Sequence, residues 1–205
     1  MGRGSVGILG GTFNPIHDQH ILLAKSAYEQ LSLSRVILMP SGVSYLKRNQ
    51  DVLPSDQRYE MCLLAAEDIS FLEVSDMEIK RSGNSYTRDT IQQLLEADPS
   101  STYYFITGSD TFFMLDKWKD PEYIFSHCII AVAQRADAAN RTDTDLIRKI
   151  REYEGRYNAA IRTLDIRISD LSSSTVRDYI AEGRDIRSFV PDKVAKYIKE
   201  NGLYR

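Results

Sequence analysis

The stretch Val6-Gly7-Ile8-Leu9-Gly10-Gly11-Thr12-Phe13-Asn14-Pro15-Ile16-His17-Asp18-Gln19-His20 reads as a short apolar strand, a glycine pair, a turn at Asn14-Pro15 and the opening of a helix. Further apolar, β-rich runs follow at residues 35–39, 71–74, 103–107, 128–133 and 163–168, the first lying at 6–9. Several are continuous rather than alternating, as expected of strands covered on both faces. Helical patterns fall between and after them, at residues 21–31, 55–68, 86–96, 143–153, 175–181 and 192–201. Strand–helix alternation predicts an α/β fold with a doubly wound, mostly parallel sheet, helices on both faces and a small C-terminal helical segment. Residues 42–53 and 135–142, polar and rich in breakers, read as loops.

Composition narrows the classes. The chain has 205 residues, 42% hydrophobic and 27% charged, enough for a core without disulfide or metal staples. It reads as one domain over residues 1–205. Cys62 and Cys128 offer no clustered metal spacing and read as buried thiols of a reducing cytoplasm. The formal net charge of −3 argues against a sequence-independent grip on nucleic acid. No apolar run approaches the roughly 20 residues of a membrane span, and residues 1–11 lack the apolar centre of a secretory signal. The C-terminal helix offers an exposed face to a second copy, so a homo-oligomer is left open.

In an open parallel sheet, ligands gather beyond the carboxyl ends of the strands. Gly10 and Gly11 let the backbone approach a bulky anion, and the amides of Gly10–Phe13 can donate to phosphate. The spacing is neither that of the dinucleotide fingerprint nor that of a Walker A loop, which disfavours a dinucleotide-dependent oxidoreductase. His17 and His20, three apart, share one helical face near a positive helix end and could converge on a polyphosphate. A helix cap beside a surface histidine explains the same letters. Zinc lacks a third ligand nearby.

A second polar run, Leu171-Ser172-Ser173-Ser174-Thr175-Val176-Arg177, opens a late helix. Ser173 and Ser174 can hold phosphate oxygens, and the Arg177 guanidinium can fork onto an outer phosphate. A plain cap with a solvated arginine is the alternative. Lys47, in the loop after the second strand, is either a mobile cation for a triphosphate or a solvated residue beside Arg48. Asn84-Ser85-Tyr86-Thr87 precedes a helix, with Ser85 or Thr87 as its cap. Gly108 and Asp110 end the fourth strand, where Asp110 suits ribose hydroxyls or a helix cap. Trp118, the only tryptophan, sits among charged neighbours and suits an aromatic platform. Acid-rich stretches such as residues 73–78 read as solvated faces.

These motifs resemble the nicotinate-nucleotide adenylyltransferases, within the nucleotidyltransferases that carry an H-x-G-H or T-x-G-H motif. Residues 10–20 are similar to the family's signature, with Gln19 where the family has a glycine close to adenine. Residues 171–177 are similar to its I-S-S-T-x-x-R motif, with Leu171 in place of isoleucine and Ser174 in place of threonine. Only Lys47 remains of its P-P-H-K loop. Residues 84–90 resemble its S-Y-T-x-D-T segment, and residues 107–110 its T-G-A-D segment. The resemblance implies a Rossmann-like fold and transfer of an adenylyl group from ATP, accompanied by Mg²⁺, to nicotinate mononucleotide. It implies phosphate roles for His17, His20, Lys47 and Arg177, and ATP contacts from Gly10, Gly11, Thr12, Phe13, Ser173, Ser174, Gly108 and Asp110. Tyr86, Thr87, Trp118 and Arg135 would receive the acceptor. The rivals are a sister adenylyltransferase using nicotinamide mononucleotide or another phosphate acceptor, and a non-catalytic nucleotide-binding module.

Overall fold

A computed structural model of the chain describes residues 4–44, 52–135, 143–169 and 171–205. The first half runs β1 (Ser5–Gly11), α1 (Asp18–Gln30), β2 (Arg35–Pro40), β3 (Val43–Ser44), α2 (Ser55–Ala66), β4 (Leu72–Val74), α3 (Met77–Lys80), β5 (Asn84–Ser85) and α4 (Thr87–Ala97). Then come β6 (Thr102–Gly108), α5 (Ser109–Phe112), a 3-10 turn (Leu115–Lys117), α6 (Pro121–His127) and β7 (Ile129–Arg135). The chain closes with α7 (Asp143–Tyr157), β8 (Ile161–Ile168), α8 (Ser173–Ala181) and α9 (Asp192–Glu200).

Six strands form one sheet in the order β4-β2-β1-β6-β7-β8, every neighbouring pair parallel. This is the doubly wound, Rossmann-like order expected from the strand–helix alternation. The continuous apolar runs are explained by burial on both faces. Along β1, Leu9 enters one core cluster and Val6 and Ile8 the other; along β7, Ala131 and Ala133 face the first, Ile130 and Val132 the second. Both cysteines are buried free thiols, and burial pushes the Cys128 thiol up to about 12.

Connections from β1 and β6 leave the sheet in opposite lateral directions, so a crevice opens beyond their carboxyl ends. Around it the structure adds elements that periodicity does not predict. β3, within residues 42–53 read as loop, pairs in parallel with β5 as a separate two-stranded sheet. The short helices α3, α5 and α6 lack enough turns to display a hydrophobic period. α1 starts three residues earlier than expected, because His17 takes the cap position. The C-terminal α9 packs one face on the core: Val194, Ala195 and Ile198 are buried, and Lys193 pairs with Glu67 and Asp68 after α2. Its Asp192, Lys196, Lys199 and Glu200 stay exposed. Among the described residues, no helix is long and apolar enough to cross a membrane.

Candidate functional site

The turn after β1 is built around Asn14. Its side-chain oxygen accepts hydrogen bonds from the Leu53 amide (3.1 Å) and the Tyr204 hydroxyl (2.9 Å). Its main-chain oxygen accepts one from Arg177 Nη1 at 2.9 Å. The chain then enters α1, where the His17 amide donates to His20 Nδ1 at 3.2 Å and the two imidazoles stack with centroids 3.7 Å apart. The Phe13 ring, buried beneath, meets His20 edge-on at 5.0 Å. The histidine pair therefore closes the helix start and also lines the cleft beyond it.

The late polar run closes on the same turn. Ser172 is the cap of α8, its hydroxyl accepting from the Thr175 amide at 3.1 Å. Ser173 Oγ donates to Pro15 O at 2.9 Å. Gln19 Oε1 accepts from the Ser169 amide at 2.9 Å, so the residue standing in the glycine position ties α1 to the end of β8. Residues more than 150 positions apart thus share one wall.

The facing walls come from α3–α4 and the exit of β6. α4 is capped at Tyr86, with extended backbone and no side-chain cap bond, not at Ser85 or Thr87. Ser85 Oγ instead accepts from the Gly42 amide at 3.0 Å, which draws the β2 exit against α4. Trp118 packs edge-on to Phe105 (centroids 5.8 Å), and its Nε1 is buried without a hydrogen-bond partner among the described residues. Ser41 Oγ is in the same condition. An orphaned donor costs about 1–3 kcal/mol unless a ligand or water takes it. Glu78, within the stretch read as a solvated face, is 8% exposed and accepts from Thr90 Oγ1 at 2.6 Å. Burial raises its pKa, while the Thr90 hydrogen bond and Arg81 act the other way.

Together these walls enclose a cleft of about 750 Å³, within the range of small-ligand sites. It lies beyond the carboxyl ends of β1 and β6 and takes the amino ends of α1, α4 and α8, whose partial positive charges favour anions. Gly10, Gly11, Thr12, Phe13, His17 and His20 line it, as do Gly108, Asp110, Tyr86, Thr87 and Trp118. Ser173, Ser174 and Arg177 complete that set. Lys47 lies outside the described residues. Arg135 ends β7, and its side chain is likewise outside them. Among the described residues, no group of three or more His, Cys, Asp or Glu could hold a metal ion.

Sequence reasoning missed Arg58, Glu78 and Ser41, and read Asn14 only as part of a turn, without its bonds to Leu53, Arg177 and Tyr204. Arg58 is 1% exposed, and burial lowers its pKa from the ordinary arginine value. A signal was present: Arg58, Met61, Cys62 and Ala65, all buried, fall at i, i+3, i+4 and i+7, so the arginine occupies the apolar stripe of α2.

The cytidylyltransferase-like family model matches residues 8–179. A probable nicotinate-nucleotide adenylyltransferase of Lachnoclostridium phytofermentans is 40% identical over 199 residues, covering 97% of this chain and 98% of the relative. One from Clostridium beijerinckii is 37% identical over 203 residues, with 97% and 98% covered. Among solved structures, a Plasmodium falciparum nicotinic acid mononucleotide adenylyltransferase complexed with NaAD superposes with a TM-score of 0.80 at 19% identity, covering 98% of both chains. A putative nicotinate-nucleotide adenylyltransferase from Vibrio parahaemolyticus gives 0.68 at 21% identity, covering 98% of this chain and 96% of its own.

Proposed function

The chain belongs to the cytidylyltransferase-like family, and from that premise we propose that it is a nucleotidyltransferase converting ATP and nicotinate mononucleotide to deamido-NAD and pyrophosphate. The observation that carries this reading is the meeting of two phosphate-type motifs in one cleft: the His17–His20 pair and the Ser173–Arg177 helix start. Near full-length relatives named for the same activity support it.

In this reaction a phosphate oxygen of the mononucleotide attacks the α-phosphorus of ATP in line. A new P–O bond forms as the bond to the β-phosphate bridge breaks, and pyrophosphate leaves with the electron pair. The attacking oxygen is already anionic, so neither a general base nor a protein nucleophile is required. What remains is to hold two like-charged substrates together and stabilise charge on the migrating group and the leaving pyrophosphate.

His17 and His20 are assigned to the α- and β-phosphate oxygens, with Lys47 as an auxiliary cation. Ser173, Ser174 and Arg177 take the outer phosphates, and Gly10–Phe13, Gly108 and Asp110 the nucleoside and backbone contacts. Mg²⁺ enters bound to ATP as part of that substrate. Tyr86 and Thr87, at the amino end of α4, suit the acceptor carboxylate, and Trp118 its ring, with Arg135 nearby in the family pattern. In this reading residues 1–205 act as one cytoplasmic domain that uses nucleotides, not nucleic acid or membrane, as partners.

Pyrophosphate release measured with ATP and each pyridine mononucleotide in turn tests activity and selectivity together. Faster turnover with the acid is expected. Preference for the amide would make the chain a sister enzyme, and ATP binding without release from any acceptor would leave a nucleotide-binding module.

A further inference from the structure

Behind the cleft, on the first turn of α2, the Arg58 guanidinium ends only on main-chain carbonyls among the described residues. Nη1 donates to Thr12 O at 2.7 Å and Nε to Leu53 O at 2.9 Å. Nη2 donates to Ser41 O at 2.7 Å and to Gly42 O at 3.1 Å. One planar group thus ties the turn after β1 to the exit of β2. A buried cation is costly to desolvate, and a leucine would pack an apolar stripe more cheaply.

The same two residues reach the other side of the cleft. The Gly42 amide donates to Ser85 Oγ, and a side chain on Gly42 would bring its Cβ within 2.4 Å of Glu78 O. Register pairing of Val43 with Asn84 and Ser44 with Ser85 continues the seam, while the Ser41 amide donates to Gly11 O at 2.9 Å. From Thr12 to Ser85, each step is a hydrogen bond or a close backbone approach. Arg58 is the member common to Thr12, Ser41 and Gly42.

Resting on the adenylyl-transfer reading, we propose that Arg58 is a positioning residue that sets the separation between the turn after β1 and residues 85–87 at the start of α4, acting through the backbone of Ser41 and Gly42. Each half of the cleft binds its own substrate whatever that separation. The rate of transfer, in contrast, depends on the distance and line between the attacking oxygen and the α-phosphorus, where an error of about 1 Å can cost about 100-fold. The signature is therefore a loss in kcat with little change in either KM. Lysine keeps the charge but cannot span four carbonyls from one planar fork.

The test is steady-state pyrophosphate release by the full chain with ATP and nicotinate mononucleotide, beside thermal unfolding. Folded Arg58→Lys is expected to lose at least about tenfold in kcat, with both KM values within about threefold of wild type. Ser85→Ala removes the acceptor for the Gly42 amide and leaves the fork intact; a smaller fall with the same split is expected. It decides the matter should Arg58→Lys not fold. Unchanged kcat in the folded variant, or a loss confined to KM, overturns the inference. Wild-type turnover measured alongside separates the two readings. An inert wild type overturns the adenylyl-transfer reading and this inference with it, whereas an active wild type beside an unimpaired variant overturns this inference alone.

Discussion

His20 does two jobs that pull apart on substitution. Its Nδ1 accepts from the His17 amide, a bond worth about 0.5–1.5 kcal/mol of stability. On the proposed reading its ring also stabilises charge on the α- and β-phosphates, where losing one donor costs about two to three orders of magnitude in rate. His20→Ala is thus expected to remain folded, with a small drop in melting temperature, while pyrophosphate release falls at least about 100-fold; near wild-type release would remove His20 from the chemistry. Glu78 makes a different claim. Its carboxyl titrates above its ordinary 4.5 because burial disfavours the anion. Between that value and the raised one, the folded protein holds a proton that the unfolded chain releases. The associated stability is full below the ordinary value and is lost as pH rises through the raised one. Glu78→Gln keeps an oxygen for the Thr90 hydroxyl and has no proton to lose. The variant should therefore gain stability relative to wild type on going from pH 4 to pH 7 in urea denaturation. A pH-independent difference would mean that Glu78 titrates normally.

At the scale of elements, the amino ends of helices carry most of the site, and α8 shows how one is held. Its cap is the Ser172 hydroxyl on the Thr175 amide, linked onward to the Ser174 and Thr175 hydroxyls at 2.8 Å. Ser172→Ala is expected to cost about 1 kcal/mol in chemical denaturation and to reduce turnover less than His20→Ala does, because Arg177 keeps its bond to Asn14. Unchanged stability would show that the hydroxyl is not the cap that matters. The two polar runs that open α1 and α8 were legible as helix starts because such starts announce themselves locally, through turn residues and hydroxyls. The parallel sheet was legible because strands buried on both faces leave unbroken apolar runs. What escaped was non-local. Glu78 is buried only because α3 is carried against α4 and the β2 exit, and no spacing of charges along residues 73–78 encodes that. Arg58 sat in a recognisable stripe, yet an arginine in the first turn of a polar helix ordinarily points at water. Its partners are main-chain carbonyls, three of them in loops 16 to 46 positions away.

The whole molecule joins its beginning to its end through Asn14, which receives Tyr204 on its side chain and Arg177 on its backbone. A ligand spanning the His17–His20 pair and Arg177 would strengthen that closure and so bind the folded state alone. At a concentration one hundredfold above its dissociation constant, such a ligand stabilises the fold by about 2.7 kcal/mol. Arg177→Gln lowers stability without ligand, since the variant's shorter, neutral side chain loses or weakens the hydrogen bond to Asn14 O. That loss alone says nothing of ATP. The informative quantity is the difference between the gains each protein makes on adding the same ATP concentration. A charged hydrogen bond to phosphate is worth about 1.5–3 kcal/mol, so the variant should forfeit most of the wild-type gain in parallel denaturation curves. If both proteins gain equally, the late helix does not touch the nucleotide, and the closure between the two ends serves the fold and not the substrate.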